Sequence, residues 1–475
     1  MKKQILNIPL YIQVASAVRD EIKKGLLFVG ECVSHRKISE RYGVSKKTAA
    51  DALEILHSEG LVISKPRVGS FVNDIWSPLL GKRAPAWEEI IRNSSSVPSS
   101  DKIYSIYQLI SSNPKNHLGG TAISKDFNFH KPVKTAMERV IHRMSVTDDF
   151  YNMNFMGMPS LRENIVKHMA LCGIHCESKD VLVTTGPMEA LSLVLLSLLR
   201  HGMKLFIEET SILGGYTFAR FTGADIRRVK CDDDGMLEDD LIEQTRKVKS
   251  NAIVCISPAN QYPTGSILSK SRRDLIMSAC ISKDIPIIEY DMLRDFNRGL
   301  LPKPFKSFDK NDHVIYIGSF ISSYRNMKIG WIIAPHKILK HIADTKTQYE
   351  ININTIVQMV ADEMFTSNAY CEYVEEYTPI FMERLKLCRT LFEKYFSNIA
   401  VWGKNTYSFY QWLRFSPHID TYKVLKFLKN TFVHSGFFFN PDDINKLYIS
   451  PVGDSAQNLD NGLKEIADAI RVVYG

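Results

Sequence analysis

The sequence predicts two unlike folds in one chain: a small α+β head of three helices and a two-stranded wing, then a large α/β body with a mostly parallel sheet and a smaller C-terminal α+β lobe. Three observations predict this. The 475 residues exceed the roughly 100 to 200 expected of a single domain. Charge is uneven: residues 1–76 hold 12 Lys+Arg against 8 Asp+Glu, so half of the net +8 sits in about a sixth of the chain. The apolar rhythm also changes, from helical spacing at the start to short apolar runs alternating with helical segments beyond about residue 126.

In the head, Leu10, Ile12, Val14, Ala17, Val18 and Ile22 recur at helical spacing, and Gly25 stops the run. A second helix spans Ser34 to Arg41 with Ile38 inward, Gly43 breaks it, and Ser45 caps a third helix running to about Ser58. Ala49, Ala52, Leu53 and Leu56 form the apolar face of that third helix. Helix, glycine turn, helix is the helix-turn-helix pattern. From Leu61 to Val72, apolar and polar residues alternate around Pro66-Arg67-Val68-Gly69, which predicts a two-stranded wing.

These residue types suit duplex DNA. The start of the third helix presents Ser45, Lys46, Lys47 and Thr48, hydroxyls and ammonium groups where a recognition helix meets bases and phosphates. Lys65 and Arg67 flank a turn that Gly69 lets approach a phosphate backbone closely. The segment then resembles the winged helix-turn-helix of the GntR family of bacterial transcription regulators. The resemblance rests on Pro9-Leu-Tyr-Ile-Gln13, Arg36, Gly43-Val-Ser-Lys-Lys-Thr48, Leu56, Glu59-Gly-Leu61 and Gly69-Ser-Phe-Val72. It implies DNA contacts from Arg36, Ser45, Lys46, Thr48 and the wing around Gly69. The family's Leu-Pro-Ser before the arginine is replaced by Cys32-Val-Ser-His35.

The expected domains are 1–76 for the head, 77–125 for a Ser-rich linker with short helices at Trp87–Ile91 and Tyr104–Ile110, and 126–475 for the body, its smaller lobe at about 390–475. In the body, runs such as Val181–Thr184, Lys204–Ile207, Ala252–Ile256, Pro286–Glu289 and Val314–Ile317 alternate with helical segments, which argues a mostly parallel sheet. The body resembles the fold-type I aminotransferases, and its combination with the head resembles the MocR subfamily. The matches include Gly157-Met-Pro-Ser-Leu-Arg162, Thr184-Thr-Gly186, Ser257-Pro-Ala-Asn-Gln-Tyr-Pro-Thr-Gly265, Ile287-Ile-Glu289 with Asp291, and Tyr316-Ile-Gly-Ser-Phe320.

Aminotransferases use pyridoxal phosphate (PLP), which needs a Schiff-base amine, an acidic partner for its pyridine nitrogen, an aromatic over its ring and a phosphate cradle. The resemblance puts the lysine position at Ser322, or at Ile321 under a one-residue shift, and neither forms an imine. It puts the pyridine-nitrogen aspartate at Tyr290, the ring-hydroxyl tyrosine at Met292, the stacking tyrosine at Ile212, the phosphate arginine at Lys328 and the substrate-carboxylate arginine at Tyr448. Pro187 lacks an amide N–H for the phosphate. The expectation is therefore no covalent PLP and no transaminase activity, with Asn260, Asp291, Ser322, Arg325 and Lys328 as the candidate cleft for a non-covalent small-molecule effector. The alternative is a PLP-binding regulator or aminotransferase that uses Lys328.

Composition is ordinary for a globular chain, 45% hydrophobic and 24% charged, which excludes collagen-like, disordered and disulfide-scaffold classes. No apolar run approaches the roughly 20 residues of a membrane span, and residues 1–10 lack the apolar stretch of a secretory signal, so a cytoplasmic location is expected. The eight cysteines read as reduced thiols; Cys172 and Cys176 lack the second pair that a zinc site needs, so no metal is expected. The function read from the sequence is a DNA-binding transcription regulator, a homodimer on double-stranded operator DNA, with an aminotransferase-like body.

Overall fold

The computed structural model describes residues 9–74, 114–121, 123–127, 129–144, 154–215, 218–248, 251–320, 327–350, 353–405 and 407–475. The chain divides into two compact units, Met1–Ser95 and Ser96–Gly475. The expected linker helices at Trp87–Ile91 and Tyr104–Ile110 lie outside the described residues, as do Ile321, Ser322 and Arg325.

The first unit contains α1 (Leu10–Lys23), α2 (His35–Tyr42), α3 (Lys46–Ser58) and the strands β1 (Val62–Lys65) and β2 (Gly69–Val72). Ser34 caps α2 by accepting the Lys37 amide, and Gly43, at φ 63°, closes it in the left-handed conformation that glycine adopts without strain. Ser45 caps α3 by accepting the Thr48 amide at 3.1 Å. Val14, Ala15 and Val18 of α1 meet Ile38 and the Ala49, Ala52, Leu53, Leu56 face of α3 in one core, closed below by Leu61, Val62 and Val72. Leu10 and Ile12, expected inward, are exposed, because α1 turns only its Val14–Val18 side to the core. Arg19 pairs with Glu59 and Arg41 with Glu21, tying α1 to the ends of α3 and α2. Strands β1 and β2 pair antiparallel with Lys65 opposite Gly69, and Arg67 at the tip has φ 63°.

The first described element of the second unit is a two-residue strand, β3 (Asn116–His117). Its main sheet takes β4 (Val181–Thr184), β5 (Lys204–Glu208) and β6 (Asp225–Val229). After a small hairpin of β7 (Cys231–Asp232) and β8 (Gly235–Met236), it adds β9 (Ala252–Ile256), β10 (Ile287–Tyr290), β11 (Val314–Ser319) and β12 (Gly330–Ile333). The order is β4-β12-β11-β10-β9-β5-β6, with β12 antiparallel to both neighbours and the other pairings parallel. Strands β4, β9 and β10 are buried along their whole length, as a sheet covered on both faces requires.

The smaller lobe has β13 (Ala400–Trp402), β14 (Gln411–Phe415), β15 (Thr431–Phe432), β16 (His434–Ser435) and β17 (Lys446–Ile449), four of them in the order β13-β14-β17-β16. The 28-residue helix Ala369–Phe396 joins the two cores: Phe381 lies in the core of the main sheet, and Phe392 and Phe396 in that of the lobe. Strand β3 pairs parallel with β15, Asn116 donates to Thr431 at 3.0 Å, and Leu118 is sealed in the lobe core. Asn116 to Leu118, inside the expected linker of 77–125, thus pair and pack with the lobe, while Ile123 and Phe127 lie in the core of the main sheet. Two paired residues and one buried leucine leave no periodicity for a sequence reading to detect.

Candidate nucleic-acid interface and body cleft

In the head, the N-cap at Ser45 starts α3 so that Lys46 and Lys47 are exposed on its first turn, and Thr48 Oγ1 lies 2.8 Å from the Ser45 hydroxyl. The amides of this turn carry the partial positive charge of a helix N-terminus beside two ammonium groups. Arg36 is exposed on α2, its Nε 3.0 Å from Glu40 Oε1. On the wing, Lys65 lies over the Phe71 ring at 5.1 Å, and Arg67 and Gly69 are exposed at the tip. The first unit thus brings all eight sequence-derived contact candidates onto the recognition helix, the helix before it and the wing. Sequence reasoning missed His57: its Nε2 lies 3.0 Å from Ser70 Oγ and 3.2 Å from Ser64 Oγ, fastening α3 to both wing strands. A histidine near the end of a helix gives no signal of that role in sequence.

In the body, the positions equated with cofactor contacts hold other chemistry. Tyr290, at the end of β10, is buried, with its hydroxyl 2.7 Å from Met292 Sδ and 3.6 Å from Met188 Sδ. A phenol among thioethers offers no carboxylate to a pyridinium. Asp291 is buried: its Oδ2 accepts from Arg294 and, at 3.2 Å, from the Tyr316 hydroxyl, its Oδ1 has no hydrogen-bond partner, and Arg294 donates on to the Pro302 carbonyl at 2.8 Å. Asn260 spends its carboxamide on Asn297, with reciprocal contacts of 3.4 and 3.3 Å, while Asn297 also donates to the Tyr407 carbonyl. Tyr448 donates to the Gly120 carbonyl at 2.6 Å and stands in an aromatic cluster with Tyr262, Tyr410 and Phe439. Burial in this cluster pushes His434 down to about 4, so its ring is neutral.

The position that the resemblance equates with the phosphate cradle is the start of a helix. The helix Pro187–Leu198 begins with Gly186 at its N-cap and Pro187 at its first position. Glu189 turns back to accept from the Thr185 amide and, at 2.6 Å, from the Thr185 hydroxyl. Burial, and next the neighbouring Glu189, raise the carboxyl of Glu350. Two carboxyl groups therefore meet beside the start of this helix. Lys328 is exposed, and its stem borders Gly186, where an added Cβ would come within 3.3 Å of it. The donors that remain do not fit PLP: no described side chain supplies the carboxylate, stacking ring or amide cradle at the expected positions. Sequence reasoning missed Glu189, although an acidic residue three after a helix N-cap is a capping signature. Among the described residues no cluster of three or more His, Cys, Asp or Glu could hold a metal, and no helix is long and apolar enough to cross a membrane.

Comparison with known proteins agrees with both halves. Residues 10–72 match the family described as bacterial regulatory proteins, gntR family. Over the whole length the chain is 26% identical to the uncharacterized HTH-type transcriptional regulator YdfD of Bacillus subtilis, covering 99% of this chain and 98% of that protein. It is 25% identical to the HTH-type transcriptional regulator NorG of Staphylococcus aureus, covering 93% and 99%. The fold is similar to that of a kynurenine aminotransferase from Pyrococcus horikoshii, with a TM-score of 0.73 at 20% identity over 84% of this chain and all of that one.

Proposed function

We propose, from the premise that this chain sets a GntR-family helix-turn-helix domain ahead of an aminotransferase-type fold in the MocR-type architecture, that it is a transcription regulator reading double-stranded DNA as a homodimer. The body acts in dimerisation, holds any small-molecule effector non-covalently, and carries out no transaminase chemistry. The observation that carries this reading is the first turn of α3, where a Ser45 cap leaves amides, Lys46 and Lys47 exposed beside a wing bearing Lys65 and Arg67. Such a surface neutralises phosphates and sets a helix into the major groove. The names of YdfD and NorG support the same role.

Loss of enzyme chemistry is supported by Tyr290, Ile212 and Tyr448 at the cofactor positions and by the carboxylate of Glu189 at the cradle. Ser322 or Ile321 at the lysine position adds to this from the sequence. Asn260, Asp291 and Lys328 stand as the described members of an effector cleft, with Lys328 the exposed cation among them. A footprint with sedimentation tests the reading. A particle of twice 54.2 kDa protecting two related half-sites supports it. A monomer, or no protection on any fragment enriched from a random pool, overturns it.

A further inference from the structure

The solvent face of α3 carries charge of both signs. Opposite the buried residues Ala49, Ala52, Leu53 and Leu56, the helix exposes Lys46, Lys47, Ala50 and Glu54, with Asp51 half-buried among them. Lys47 and Glu54 stand two turns apart on one stripe, about 10 Å from each other along the helix axis. That rise corresponds to about three base-pair steps of a duplex.

Between Leu10 and Val72 the other glutamates are held by a donor. Glu21 pairs with Arg41, Glu40 with Arg36 and Glu59 with Arg19, and Glu31 accepts from the Phe28 amide at 3.0 Å. Among the described residues Glu54 has neither an ion pair nor a hydrogen bond. A free carboxylate on this stripe works against phosphate binding. Set in the groove it stands between two phosphate strands, and like charge lowers affinity on every sequence.

The partner the major groove offers a carboxylate is a base amino group. Cytosine presents its N4 amino group with no acceptor of its own beside it, whereas adenine sets N7 next to its amino group and guanine presents O6 and N7, all of which repel a carboxylate. Ala50, one turn before Glu54, ends at a methyl group and leaves room for the carboxylate to approach a base edge.

We infer that Glu54 is a specificity-determining residue that reads cytosine in the major groove by accepting from its N4 amino group, about three base pairs from the contact made by Lys47. The inference rests on α3 being the DNA-reading helix and names a base that this helix selects. On cytosine the N4–H···O bond offsets the repulsion from the phosphates; on any other base the repulsion stands. Glu54 therefore selects as much by weakening binding to wrong sequences as by strengthening binding to the right one.

The test is enrichment of duplexes from a random pool by the full chain, wild type and variants, followed by titration of the enriched duplex and its single base-pair substitutions at one salt concentration. Glu54 is exposed, and Gln and Ala suit a helix, so Glu54→Gln and Glu54→Ala are expected to fold as wild type does. Wild type is expected to require a C·G pair at one position of each half-site, and replacing that pair should weaken binding about tenfold or more. Glu54→Gln is expected to move the preference at that position to adenine, whose N6 and N7 match a carboxamide, with the other positions unchanged. Glu54→Ala is expected to abolish the preference there and to bind random duplex a few fold more tightly. Enriched sites identical in wild type and both variants, or a wild-type preference for a base other than cytosine at the position that changes, overturn the inference and leave the DNA-reading role of α3 standing. If wild type enriches no site, that role fails and the inference fails with it.

Discussion

Glu189 accepts from both the amide and the hydroxyl of Thr185, and so closes with its own carboxylate the helix end that could cradle an anion. A dianionic phosphate would have to displace that carboxylate and then sit beside it, with Glu350 nearby and no N–H on Pro187.

PLP is accordingly expected to leave the full chain unaffected. Its addition should shift the Tm by less than about 1 °C, since binding to the native state alone would raise apparent stability. Borohydride treatment should leave no more pyridoxyl on Lys328 than on other exposed lysines. A visible aldimine band with a single adduct at Lys328 would restore the alternative of a non-standard lysine.

The head should be sensitive to changes at the α3 core and cap. Leu56 is fully buried between α1 and the wing, so Leu56→Ala is expected to cost about 2–5 kcal/mol, a large part of what a unit of this size holds. Ser45→Ala removes the cap on the recognition helix and is expected to cost about 1 kcal/mol. Hydrogen exchange at the α3 amides reads both losses; protection equal to wild type in Leu56→Ala would mean that this core is not what holds the helix.

The buried His168–Asp295 pair makes stability depend on alkaline pH. The folded pKa of about 9 lies above the ordinary value of about 6.5, so the stabilisation is fully present below about 6.5 and is lost as pH rises through about 9. The amount at stake is about 3 kcal/mol. Denaturant melts of wild type and His168→Gln should therefore differ most at pH 6 and converge toward pH 10. A constant gap across that range would show that His168 does not titrate as described.

The head is largely legible in the sequence. Ser34, Gly43 and Ser45 are local signals for helix ends, and the spacing of Ala49, Ala52, Leu53 and Leu56 marks a core face. Leu10 and Ile12 depart from the expectation because periodicity reports an apolar stripe, not where the covering core stops. In the body, the strands of the main sheet are visible as short apolar runs, but β3 is not, because its two residues are fixed by pairing with a strand more than 300 positions later. The altered residues at Tyr290 and Tyr448 can be named from the sequence, whereas their present partners, Met292 and the Gly120 carbonyl, come from packing. The buried His168–Asp295 pair leaves no sequence signal at all, since its members lie 127 positions apart.

Salt dependence of DNA binding tests the central claim most directly. With the full chain and a duplex enriched from a random pool, log K should fall linearly with log salt concentration. Lys46→Ala/Arg67→Ala should weaken binding and flatten the slope by about two units, about 0.9 for each phosphate no longer neutralised. An unchanged affinity and slope in the double variant would contradict the assignment of α3 and the wing as the DNA-reading surface.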